Sequence, residues 1–325
     1  MNDILLAISA LVLGPVVTYL GYMGLNGLVS RIPGKLGKAL LPYVFVGPVL
    51  LLVFLFLVYP TVQTVQFSFM NNDSTKWVGF RNYEKLFEDS EFIDTLINNF
   101  LWVAVVPIVT VVLGIMIATL ANNTGPIREK VFKSVIFMPM AISFVAAASI
   151  WRLTYSYSST GEQIGLLNAI VTWFGSEPVE WLMAEQFKLN NLLIMVVVIW
   201  AQTGFAMTLL SAAIKAVPEE TIEAAAIDGA SASQSFFRVV LPQIRVTAIS
   251  VFITVLISCM KIFDVIWGMT GGNFHTNVLG VNFMLEYFVF NRTGRASAVV
   301  VLLMLAIIPI MIYQVRTYRK QEELR

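Results

Sequence analysis

Charge and cysteine are what this 325-residue chain has least of. Charged residues make up 13% of it, about half the roughly 25% of an average soluble chain. Hydrophobic residues make up 58%, and mean hydropathy is +0.78. So few charges cannot cover the surface of a water-soluble protein of this size. High hydrophobicity also excludes a disordered chain. The 21 Lys and Arg against 20 Asp and Glu leave a net charge of +1, so there is no basic surface for nucleic acid. A single cysteine, Cys259, excludes an intramolecular disulfide, and a single histidine, His275, leaves too few ligands for a structural zinc site. No GxxxxGK[ST] run cradles a phosphate, and no Ser–His–Asp arrangement or metal cluster is present. What remains is an all-α polytopic membrane protein with no catalytic constellation.

The apolar residues fall into long runs. A spanning helix needs about 20 mostly apolar residues, and seven stretches qualify: 4–28, 40–69, 98–121, 131–155, 190–214, 246–270 and 297–317. They are continuously apolar rather than alternating, which argues against a β-barrel. Pro15, Pro48, Pro60, Pro107, Pro139 and Pro309 fall inside them, and membrane helices tolerate such interruptions where neighbours satisfy the freed backbone groups. The first run has no Lys or Arg before it and is too long for the apolar part of a signal peptide, so it reads as a retained helix. Its Gly14, Gly21, Gly24 and Gly27 would allow close packing on another helix.

Positive charge sets the orientation. One set of loops carries Arg31, Lys35, Lys38, Arg128, Lys130, Lys133, Lys215, Arg238, Arg245, Arg316, Arg319, Lys320 and Arg325. The other carries only Lys76, Arg81, Lys85, Arg152, Lys188, Arg292 and Arg295. The first set is expected on the cytoplasmic side, with the N-terminus outside and the C-terminus inside.

One cytoplasmic loop, 215–245, has internal order. Pro218, Glu219 and Glu220 mark a helix start, with acids at the positive end of the dipole. Ala224 to Ala226 give it a small face, and Gly229 fits a C-terminal stop. A second short helix is expected over about 231–240, ended by Pro242. A purely interfacial anchor would need a larger apolar face; a small-residue helix suits insertion into a groove on another protein.

The segment EAAAIDG, Glu223 to Gly229, followed at a distance by Leu241–Pro242, resembles the EAA loop of permease subunits of bacterial ABC importers. WVGFRNYEKLFED (77–89), MPMAISFVAAASIWR (138–152), GLLNAI (165–170) and FDVIWGMTGG (263–272) are similar to segments of the carbohydrate, maltose-type branch, most like its α-glucoside permeases. One departure is Gly271–Gly272–Asn273 where many relatives carry Gly-Gly-Pro. The resemblance implies a six-helix type I importer core at 40–325 with the coupling loop at 216–243. Residues 1–39 are then an additional N-terminal transmembrane helix and cytoplasmic linker. It also implies a heterodimer with a second permease, two cytoplasmic ATPase subunits that bind ATP and Mg, and an extracytoplasmic sugar-binding protein, in a bacterial or archaeal inner membrane. This chain itself would hold no cofactor. Coupling to the ATPase would fall to Glu219, Glu220, Glu223, Ala224, Ala225, Asp228, Gly229, Leu241 and Pro242.

Polar and aromatic groups inside spans are functional candidates. The fifth span offers Trp200, Gln202, Thr203 and Phe205, and the sixth offers Ser258, Cys259, Lys261 and Asp264. The resemblance places Ile199, Gln202, Phe205, Ser258, Cys259 and Ile262 near the sugar. Lys261 and Asp264, three apart on a helix, are expected to pair, either packed against the second permease or lining the pathway. Arg152, Trp151, Tyr155 and Tyr157 are expected near the outer membrane interface, and His275 in a solvated outer loop. Loops 70–96 and 156–189 are expected to meet the binding protein, with 163–175 as a short amphipathic helix. Two other readings stay open: the same machine importing a polyol, glycosylglycerol or other compatible solute, and an ion-coupled secondary transporter. The second leaves the EAA loop unexplained.

Overall fold

The computed structural model describes residues 2–322, most of them helical; Arg325 of the basic tail lies outside them. The chain divides into two compact units, residues 1–66 and 67–325.

The first unit contains α1 (Asn2–Ser30) and α2 (Lys35–Val53), linked through Gly34 at φ 86. Tyr22 on α1 meets Phe45 on α2 with ring centroids 5.0 Å apart. A Cβ built on Gly21, Gly24 or Gly27 meets no described atom within 4 Å. After α2 the helix passes through a π-turn, Phe54–Val58, into α3 (Tyr59–Ser68). The π-turn precedes Pro60, which has no N–H to continue the ordinary ladder.

The second unit opens on an isolated antiparallel bridge between Met70 and Trp77. Asn71 closes its turn by accepting from the backbone N–H groups of Thr75 and Lys76. α4 (Arg81–Phe87) is pinned to it by buried Asn82, which donates to the carbonyls of Ser68 and Met70. α5 (Ser90–Asn122) starts where the Asp89 side chain accepts from the Glu91 N–H.

α6 (Pro126–Phe137), a 3₁₀ turn at Met138–Ala141 and α7 (Phe144–Thr154) replace the straight span expected over 131–155. The two helices are bent by 100°. The chain turns because Ile142 is extended and Ser143 starts a new helix, its Oγ accepting from the Ala146 N–H. α8 (Leu166–Trp173) lies within the 163–175 stretch expected to be helical.

α9 (Leu189–Lys215) is the centre of the unit. It packs along α5, where Gly114 sits against Ala206 so closely that a Cβ there would be 2.8 Å from the Ala206 Cβ. Trp102 and Val106 of α5 and Ile194, Met195, Val198 and Met207 of α9 are fully or almost fully buried. α10 (Glu219–Ile227) and α11 (Ala232–Ser235) follow it.

Pro242 does not end a helix. α11 continues through a π-turn at Phe236–Val240 into α12 (Leu241–Met260), one helix from Ala232 to Met260. Here too a π-turn lies just before a proline, and the Leu241 N–H reaches the Phe236 carbonyl five residues back. The sixth expected span, 246–270, is also interrupted: α12 stops at Met260, and α13 (Asp264–Met269) is separate.

α14 (Leu279–Met284) runs on through a third π-turn at Leu285–Val289, and α15 (Thr293–Glu322) ends the described chain. At its base Arg295 bridges Asp89 (2.9 Å) and Glu286 (3.3 Å). Burial pushes the Glu286 carboxyl up, partly offset by the Arg295 and Arg292 guanidiniums. Among the described residues, five helices are long and apolar enough to cross a membrane, or six with the bent pair counted as one span.

Candidate functional site: a surface helix and the face above it

The loop 215–245 is built from its own capping chemistry. Pro218 opens α10 with Glu219 and Glu220 in the first turn. At the other end the Ala230 N–H reaches the Ala225 carbonyl at 2.9 Å and the Gly229 N–H reaches the Ala226 carbonyl at 3.0 Å. These two bonds are the Schellman arrangement, which needs a residue with positive φ at Gly229; its φ is 83. α11 then starts on a complete capping box. The Gln234 N–H donates to Ser231 Oγ (3.3 Å), and the Ser231 N–H donates to Gln234 Oε1 (2.8 Å).

α10 has two faces. Val217 is buried, and Ile222, Ala225 and Ala230 are half-buried, holding the helix against α11 and the following π-turn. Glu219, Glu220, Glu223, Ala224 and Asp228 are exposed. Ile227 stands on the open side, 85% exposed. The sequence reading missed it, although a lone isoleucine in an acidic, small-residue helix is the signal. Leu241 is half-buried and Pro242 exposed at the start of α12.

The loop leaves from a fixed base. Glu129 of α6 bridges Lys133 and Lys215, each at 2.5 Å. Lys133 also donates to Asn122 of α5 (2.9 Å) and to Ser211 of α9, whose own Oγ donates to Asn122 at 2.8 Å. The C-terminal ends of α5 and α9 and Glu129 and Lys133 of α6 are therefore tied three residues before Pro218. Glu129→Gln is expected to lower stability by about 1 kcal/mol, because the attraction of its carboxylate for Lys133 and Lys215 is lost while Lys133 keeps Asn122 and Ser211 as partners. Thermal unfolding of the purified protein at low salt reads this, and an unchanged midpoint would contradict it.

On the membrane side the candidates separate. Trp200 meets Trp151 edge-to-face, with centroids 5.7 Å apart. Gln202 and Phe205 are half-buried on the same helix, and Ile199 packs against the core. Thr203 is buried and spends its hydroxyl on the Ile199 carbonyl. Cys259 is fully buried and Ile262 is 5% exposed, so both lie in the core of this chain. Ser258 is half-buried, with its hydroxyl on the Thr254 carbonyl.

The expected Lys261–Asp264 pair is absent from the ion pairs among the described residues. The helix ends at Met260, Phe263 turns to φ −143, and both side chains are exposed at the break. Helical i,i+3 spacing no longer applies there. His275 is more engaged than a solvated loop residue: its Nδ1 lies 3.2 Å from the Asp94 carboxylate and its Nε2 3.9 Å from Glu185.

Similar proteins share this architecture. The chain is 42% identical over 92% of its length, and 88% of the relative's, to the alpha-glucoside transport system permease protein AglF of Rhizobium meliloti. It is 43% identical over 86% of its length to the whole of the osmoprotective compounds uptake permease protein GgtC of Synechocystis. A chain from the crystal structure of a bacterial ABC transporter that imports the acidic polysaccharide alginate superposes with a TM-score of 0.72. That match has 20% identity and covers 88% of this chain and 99% of that one, so it bears on the fold. Residues 110–322, which hold the surface helix, its base and the face above it, match one family throughout. This chain belongs to that family, the inner membrane components of binding-protein-dependent transport systems.

Proposed function

We propose that this chain is one half of the translocation pathway of an ATP-driven importer of neutral α-glucosides, and that 216–243 couples it to the ATPase. The observation that carries the reading is α10: a short helix, stopped at its C-terminal end by a Schellman turn, with Glu219, Glu220, Glu223, Ala224 and Ile227 exposed. Such a helix transmits a push only if it does not pivot, and the Schellman bonds together with the capping box that starts α11 fix the joint between the two helices. Two ATPase subunits supply ATP and Mg, a second permease completes the pathway, and an extracytoplasmic binding protein delivers the sugar. The N-terminus faces outside and the C-terminus the cytoplasm, in keeping with the excess of Lys and Arg in the loops placed inside.

Within the membrane, Trp200, Gln202, Phe205, Ser258, Lys261 and Asp264 offer side-chain surface to the pathway, while Ile199, Cys259 and Ile262 back it. Aromatic faces with a few polar groups suit a sugar, which has an apolar face and a hydroxyl rim. The relative AglF, named for α-glucosides, supports that cargo. The relative GgtC, named for osmoprotective compounds, favours a second reading, in which the cargo is a glycosylated compatible solute.

Proteoliposomes holding the full complex test this. ATP-dependent uptake of trehalose, maltose, sucrose or a glycosylglycerol that requires the binding protein is the expected result. Uptake driven by an ion gradient without ATP would refute it.

A further inference from the structure

A cavity of about 460 Å³ opens beside α7 and lies outside the pathway residues named above. α7 has two working faces. Ala148, Trp151 and Tyr155, at i, i+3 and i+7, point into the core. Ser149, Arg152 and Leu153, at i, i+3 and i+4, line the cavity, Tyr155 and Ser156 just past the end of the helix continue the wall, and Tyr157, Glu180 and Trp181 close it.

The wall is preformed. Asn168 of α8 is fully buried and makes four hydrogen bonds. Its Nδ2 donates to the carbonyls of Ser156 (3.1 Å) and Val179 (3.0 Å), and its Oδ1 accepts from the Val179 N–H and the Trp181 indole N–H, each at 2.9 Å. Gly165 lies so close to Ser156 that a Cβ would be 2.1 Å from its carbonyl oxygen. Trp181 therefore has a fixed ring and no free indole donor, so it offers apolar surface.

Two charges face the same space. Among the described residues neither Arg152 nor Glu180 forms an ion pair; the hydrogen bond Arg152 does make runs to the Gly268 carbonyl at 3.5 Å. A guanidinium donates and a carboxylate accepts, while a sugar hydroxyl does both. The two charges are opposite, so the lining carries no net charge and offers both donors and acceptors to a neutral polyhydroxyl ligand. The volume falls within the roughly 300–1,000 Å³ of small-molecule sites.

We propose that this cavity is an outer subsite for a neutral, disaccharide-sized glycoside, separated by Trp151 from Trp200 on the inner pathway. The proposal rests on the sugar-import reading and adds to it a second place along the route where the sugar is held.

The test uses Ser149→Cys, with Leu153→Cys as a second reporter, in the full complex with its binding protein. The chain's own Cys259 is buried, so labelling of this chain by a membrane-impermeant thiol reagent reports the cavity. Trehalose, maltose or sucrose at ten times its dissociation constant is expected to slow labelling about tenfold, since about a tenth of sites stay open. Glu180→Gln is expected to weaken protection by the neutral sugar. If a sugar is imported yet never protects either cysteine, the subsite is refuted and the import reading stands. If the binding protein protects equally without sugar, the cavity is a protein contact and the proposal fails. If no glycoside is taken up or protects, the import reading fails and the subsite falls with it.

Discussion

Gly229→Val is expected to lower ATP-driven uptake about thirtyfold while leaving the complex assembled. Gly229 sits at φ 83 with nothing within 4 Å of where a Cβ would be, so the effect comes from the backbone and not from a clash. Left-handed backbone costs an L-residue about 1–2 kcal/mol, and a β-branched side chain sits at the upper end. The strain is relieved by opening the turn. That breaks the Ala230-to-Ala225 and Gly229-to-Ala226 bonds and lets α10 pivot against α11. A cost of about 2 kcal/mol in the coupled geometry corresponds to about thirtyfold. Gly229→Asn, which tolerates this conformation better, is expected to keep most of the uptake. Equal uptake by the valine variant and the wild type would show that the turn does not matter for coupling.

Gly204→Leu is expected to abolish folded protein. A Cβ on Gly204 would sit 2.6 Å from the Ile136 carbonyl oxygen and 2.8 Å from the Phe137 Cα. Both are backbone atoms at the end of α6, next to the 100° bend, and neither can swing aside like a side chain. Overpacking costs about 1–3 kcal/mol where neighbours adjust; here the helices α6 and α9 must separate, and the penalty exceeds that range. Gly47→Ala is the contrast. No atom lies within 4 Å of its Cβ position, and alanine favours a helix over glycine by up to about 1 kcal/mol. Size-exclusion profiles and thermal midpoints of the two variants read the difference. A monodisperse, wild-type-like Gly204→Leu protein would contradict the close approach of α6 and α9.

The membrane class and the short helix that opens at Pro218 and stops at Gly229 were legible because each rests on local chemistry. Twenty-residue apolar runs mark a membrane protein without tertiary context, and Pro218 and Gly229 each carry their own cap signal. What could not be read depends on contacts distant in sequence or on how helices break. The bend at Met138–Ala141 and the stop at Met260 sit inside apolar runs where hydropathy is uniform. Pro242 looked like a terminator, but the π-turn at Phe236–Val240 lets the helix run through it. The Lys261–Asp264 pairing relied on helical spacing that the break at Phe263 removes. The cavity beside α7 is assembled by Asn168 from segments more than ten residues apart, and no spacing rule announces it.

The most direct measurement is cross-linking from the exposed face of α10. Ala224→Cys or Ile227→Cys, in a chain whose own cysteine is buried, would be treated with a short thiol-to-amine cross-linker in a complex that imports sugar. A specific adduct with the ATPase subunit, with a yield that changes when ATP binds, is the predicted result. An importing complex that gives no adduct from either position would show that α10 is not the coupling helix.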